Sequence, residues 1–105
     1  MVEIEWAPRA VKDINEIAEF IGKYSIQYAE EQVRLFFEIV SLLEKHPFRG
    51  RIVPELSIPT IRQILCGHYR IIYEVITPNQ LGILTVHHQA RLLRNNPAIR
   101  KLRKK

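Results

Sequence analysis

The sequence predicts a single domain of mixed α/β (α+β) class: one N-terminal strand, an antiparallel helical hairpin, then a three-stranded antiparallel meander that joins the first strand in one sheet with the helices on one face. Three observations predict it. Apolar residues recur at helical spacing between Pro8 and Leu43, they run in strand-like blocks between Ile61 and His88, and Gly67 and Pro78-Asn79 divide those blocks. The chain has 105 residues, 47% of them hydrophobic, which suffices for one core and leaves no room for a second domain.

Val2-Glu3-Ile4-Glu5-Trp6 alternates apolar and charged residues, as a strand with one buried face does. Pro8 suits the first position of a helix, and Val11, Ile14, Ile17, Ala18 and Ile21 then mark one face of a helix over roughly residues 8–23. Ser25 caps a second helix with the stripe Ile26, Ala29, Val33, Phe36, Val40 and Leu43, which ends near residues 44–46 because Pro47 disfavours helical geometry before it. The proline-rich stretch from Pro47 to Pro59 reads as a loop with at most one short edge strand. Residues 61–66, 68–76 and 81–88 follow as strands, and Asn95-Asn96-Pro97 can start a last short basic helix. Chain order allows the first strand to pair at an edge or in the middle of the sheet.

The net charge of +5 is unevenly placed. Residues 1–46 carry a net −4 and residues 47–105 a net +9, with Glu55 and Glu74 the only acids in the second part. A basic half of this kind fits a polyanion or an acidic protein partner, and its last five residues alone equally fit a solubilising tail. A lone cysteine, Cys66, excludes an internal disulfide and a cysteine-based metal site, so no metal or cofactor is expected. The N-terminal residues lack the pattern of a secretory signal and no apolar run is long enough to span a membrane, so a cytoplasmic location is expected.

Strand alternation puts Tyr69, Ile71, Tyr73 and Val75 on one face and Arg70, Ile72 and Glu74 on the other. Only one of His87 and His88 can then face Arg70. Arg62 joins Arg70 if Gly67 lies in a three-residue loop and is separated from it if the loop has two residues. Arginines beside a histidine and a carboxylate could cleave RNA through its own 2′-hydroxyl: Glu55 as base, Arg62 and Arg70 as clamp on the phosphorane, His88 as acid. The plainer alternative pairs Arg70 with Glu74 and leaves Glu55 as an exposed acid.

The order strand, helical hairpin, Pro47-Phe48-Arg49-Gly50, Pro54-Glu55-Leu56, Arg62, Tyr69-Arg70-Ile71-Ile72-Tyr73 and Val86-His87-His88-Gln89-Ala90-Arg91 resembles the RelE/ParE superfamily of toxins from bacterial type II toxin–antitoxin systems. The resemblance runs from Trp6 to Leu93, assigning residues 1–93 to a toxin domain and residues 94–105 to a basic tail. It implies a small toxin neutralised by an antitoxin that wraps it, with which it forms an oligomer. RelE-like and YoeB-like members cut mRNA on the ribosome, whereas ParE-like members block DNA gyrase without cutting RNA. The Pro54-Glu55 spacing is similar to YoeB, which implies a general base at Glu55 with Arg70 and His88 as its partners. Arg49 and Arg51 stand nearest to the loop lysines of RelE, and Arg91 and Arg94 would meet rRNA. The ending Val86–Leu93 is more similar to ParE, and no tyrosine follows Tyr73, although RelE and YoeB carry one near the C-terminus. Ribosome-dependent mRNA cleavage is the leading expectation; gyrase inhibition and antitoxin-bound autoregulation by a weakly toxic relative are the alternatives. The antitoxin is expected to be acidic and amphipathic, drawn to the exposed face of the second helix and the basic half.

Overall fold

Pro8 opens α1 (Pro8–Gly22) without a side-chain cap from Ala7, its absent N–H being one that a first helical turn leaves unpaired. Ser25 caps α2 (Ile26–Leu43): its Oγ accepts the Tyr28 N–H at 3.1 Å. In a computed structural model that describes residues 2–103, this hairpin follows β1 (Glu3–Trp6) and precedes β2 (Arg51–Ile52), β3 (Ile61–Cys66), β4 (Tyr69–Thr77), β5 (Gln80–His88) and α3 (Pro97–Arg103). The sheet order is β1-β5-β4-β3-β2. The N-terminal strand therefore takes an edge, parallel to β5, while the meander is antiparallel throughout. The short β2, the one edge strand that the proline-rich stretch allowed, makes a fifth strand, and it blunts the edge of β3 with two residues, Arg51 opposite Gln63 and Ile52 opposite Arg62.

The face of the sheet under α1 and α2 holds the main core, in which Phe36 and Leu43 meet Ile71, Tyr73, Leu81 and Ile83. The opposite face is also covered. There Ile61 and Ile72 pack with Val53 from the proline-rich loop and with Leu93 and Ile99 from the C-terminal segment. That second cluster holds the loop and α3 against the sheet, so the chain after Leu93 shares in the packing.

Two irregularities between β4 and β5 cancel each other. Ile76 is an extra residue on β4 between the pairs Val75–Leu81 and Thr77–Gln80, and Leu84 is an extra residue on β5 between Tyr73–Ile83 and Ile72–Thr85. The bulge at Leu84 lets Ile83 and Val86, three apart, both face the main core, against the plain alternation that groups Ile83 with Thr85 and His87.

Beyond Ile83, β5 has no strand on its β1 side, because β1 ends at Trp6. Asp13 of α1 supplies the missing acceptor. Its carboxylate, 8% exposed, takes the Val86 N–H at 3.1 Å and the Thr85 hydroxyl, and Arg9 Nε lies 3.1 Å from its other oxygen. Across Thr85, the Asn96 amide nitrogen donates to Thr85 Oγ1 and to His87 Nδ1, both at 3.0 Å, while its Oδ1 accepts the Ala98 N–H at the start of α3. This chain of buried hydrogen bonds ties α1, β5 and α3 together.

Candidate functional site

The turn that follows β2 carries Glu55. Val53, fully buried, accepts N–H bonds from both Leu56 and Ser57, and Ser57 adopts a positive φ of 54° to complete the bend. Glu55 thus stands at the outside of a tight, anchored turn, facing the sheet beside Arg70. The Arg70 guanidinium grips it with both terminal nitrogens, Nη1 to Oε1 at 3.0 Å and Nη2 to Oε2 at 2.8 Å, and Nη1 also donates to Gln63 Oε1 at 3.0 Å. The Arg70 side chain is 12% exposed and the Glu55 side chain 44%. Glu74, the alternative partner on the same strand, makes no ion pair with Arg70.

The remaining candidates divide between the two faces. Gly67, with φ of +60°, begins a two-residue turn that pairs Cys66 with Tyr69. Arg62 therefore lies opposite Tyr73 on the other face from Arg70. It holds the proline-rich loop, donating to the carbonyls of Gly50 (3.1 Å) and Pro59 (3.0 Å) with its guanidinium 5.1 Å from the centre of the Phe48 ring. The histidine directly across from Arg70 is His87, whereas His88 pairs with Tyr69 and packs edge-on against its ring at 5.2 Å. Arg49 and Arg51 are exposed near the β2 edge, and Arg91 and Arg94 are exposed after β5, with β3 and β4 lying between those two strands. The structure brings Glu55 and Arg70 together, and it places Arg62 and His88 away from them.

His87 is itself committed. With Asn96 Oδ1 bound to a backbone N–H, the amide nitrogen of Asn96 must face His87 Nδ1, so the ring proton sits on Nε2 and goes to the Arg91 carbonyl at 2.9 Å. Hydrogen bonds from Arg70 hold the Glu55 carboxyl below its ordinary value, outweighing the opposing effect of its partial burial. Burial pushes the Tyr69 and Tyr73 phenols up, and the Cys66 thiol as well. Sequence reasoning missed Gln63, which shares Arg70, and Asn96, which fixes His87. Asn96 had a visible signal, since an asparagine before Pro97 is a helix cap.

The lowered Glu55 pKa gives a stability prediction. Glu55 contributes fully above the ordinary carboxylate value, and its contribution is lost as pH falls through the lowered one. Urea unfolding of the parent and Glu55→Gln should differ most near neutral pH and converge in acid. A difference that persists unchanged through the carboxylate range would show that the ion pair is not its source.

Comparison with known proteins bears on the whole of this arrangement. The profile of a family described as the ParE toxin of the type II toxin-antitoxin system parDE matches residues 4–93. The chain belongs to the ParE toxin family. A curated relative, Toxin RelE2 of Caulobacter vibrioides, is 26% identical over 92 residues, covering 88% of this chain and 100% of the relative. A solved structure titled "Chromosomal ParDE TA system from P. aeruginosa" shares the fold, with a TM-score of 0.68 at 18% identity, over 84% of this chain and 96% of that one. The protein is a toxin of a type II toxin–antitoxin system, and its family implies an antitoxin as partner. The Glu55–Arg70 pair and the Arg62 clamp both lie within the matched residues. No helix among the described residues is long and apolar enough to cross a membrane.

Proposed function

We propose that this toxin arrests growth by binding a protein, DNA gyrase being the target that its resemblance to ParE-like members implies, and that it does not cleave RNA. The observation that carries the reading is the closed Glu55–Arg70 pair. A general base works best when its pKa lies near the working pH, and Glu55 is shifted the other way by the very arginine that would have to clamp the phosphate. Among the described residues no proton donor stands ready nearby: the His87 ring N–H donates to the Arg91 carbonyl, and His88 lies across the sheet. Tyr69 and Tyr73 sit on the helix side with phenols weakened as acids by burial. Catalysis would require Glu55 to leave Arg70 as a free base and the Asn96–His87 contact to break, whereas binding a protein requires neither a free base nor a proton donor.

Two assays on the purified toxin separate the targets. Added to a translating extract, it should leave mRNA uncut and protein synthesis running; added to gyrase with supercoiled DNA, it should block supercoiling or trap cleaved DNA. Cleavage of mRNA in translating ribosomes that disappears with Glu55→Ala would overturn the proposal.

A further inference from the structure

The Glu55–Arg70 pair is asymmetric in a way that assigns it a second use. Arg70 is almost withdrawn from water and requires an anion, but the anion it holds comes from the solvent side, on a side chain nearly half exposed. The backbone of that turn is anchored through Val53, so Glu55 can swing out to water without unfolding the loop. We propose that Arg70, backed by Gln63, is a receptor for a carboxylate on an acidic segment of a protein partner, and that Glu55 fills it until the partner's carboxylate takes its place. This deepens, and rests on, the protein-binding reading above.

Three features favour a carboxylate from a protein. The fork already fits two coplanar oxygens at 2.8 and 3.0 Å. Arginine only donates, so Gln63 must present its oxygen to Nη1, and the ring N–H of His87 is committed to Arg91. Arg70 is thus the single side-chain donor to the bound carboxylate among the described residues, and its two terminal nitrogens match the two oxygens of one carboxylate. Leu65, directly opposite Arg70 on β3 and 53% exposed, offers apolar contact beside the fork. The surrounding half of the chain, at net +9, would draw an acidic segment towards it. Exchange of one carboxylate for another leaves Arg70 paired throughout, so the desolvated guanidinium is never stranded.

The test uses two monoanions, acetate and dimethyl phosphate, the second a mimic of the RNA backbone. Each is titrated into the parent, Glu55→Ala and Glu55→Ala/Arg70→Lys while the Arg70 Nε–Hε resonance, or the neighbouring amides in the lysine variant, is followed by NMR. Acetate should saturate a site in Glu55→Ala about tenfold more tightly than dimethyl phosphate does. It should bind the parent more weakly, because Glu55 competes, and lose the site in the double variant. Equal or tighter binding of dimethyl phosphate, an equal response from the parent, or no saturable response would each overturn the proposal. Glu55→Gln gives the same ranking by the same readout if Glu55→Ala does not fold. The two readings fail separately. Cut mRNA would remove the protein-binding reading with the acetate preference intact, and a dimethyl phosphate preference with uncut mRNA would remove the carboxylate receptor alone.

Discussion

Gly50→Ala is expected to destabilise the protein by about 3 kcal/mol, a drop of about 15 °C in Tm for a domain of this size. Gly50 is buried where the proline-rich loop crosses the sheet. Its N–H donates to the Tyr73 hydroxyl at 2.8 Å and its carbonyl accepts from Arg62 at 3.1 Å. A Cβ there would lie 2.6 Å from the Gln63 carbonyl oxygen, 2.7 Å from the Tyr73 hydroxyl and 2.9 Å from Tyr73 Cε1. One of those atoms is backbone in the middle of β3 and another belongs to a fully buried ring, so neither can yield without opening the core. Gly22→Ala is the control, since nothing lies within 4 Å of a Cβ at the end of α1. Thermal and urea unfolding should separate the two variants widely; a Gly50→Ala protein as stable as Gly22→Ala would refute the close approach. The effect would reach beyond the loop, because the same crossing positions the turn that carries Glu55.

Asp13→Ala is expected to weaken the fold by a similar amount, about 3 kcal/mol, through a different cause. The substitution leaves the Val86 N–H and the Thr85 hydroxyl without their acceptor and Arg9 without its counter-charge. Those donors lie on the stretch of β5 that no strand covers, so the loss should be local as well as global. Hydrogen exchange should show the Val86 amide losing protection ahead of the amides of β4. Thr85→Val alone removes one of the two donors, and its effect should not add to that of Asp13→Ala, because the two side chains are bonded to each other. Full protection of Val86 in Asp13→Ala with unchanged stability would refute this account.

The element boundaries were legible because each is marked by a residue with a local reason to be there: Pro8 at a helix start, Ser25 at a cap, Pro47 after a helix end, Gly67 at a positive φ. The contents of the site were less so. Whether Arg62 joins Arg70 turns on the length of one hairpin loop, and a difference of one residue sends the arginine to the opposite face. The histidine could have been found. Counting back from a two-residue turn at Pro78-Asn79 pairs Arg70 with His87, and the two bulges cancel, so the count holds; the reading from residue chemistry and the family resemblance both named His88 instead. The bulges themselves leave no trace in the alternation of apolar residues. The grip of Arg70 on Glu55 spans 15 positions and depends on how a proline-rich loop folds back over the sheet, which no periodicity reports.

The parallel edge has a consequence for how the molecule is made. β1 bonds to one strand only, β5, with Glu3 beside Gln80 and Trp6 beside Ile83. β1 therefore leaves the ribosome well before its one partner in the sheet and waits for it before it can dock. At a synthesis rate of roughly 5–20 residues per second that is a delay of several seconds. Through that interval the helical hairpin lacks the β5 residues Leu81, Ile83 and Val86 beneath it, and the nascent chain has neither of its two cores complete. A chain cut short before Gln80 cannot close its sheet at all, so the toxin fold waits on the synthesis of β5.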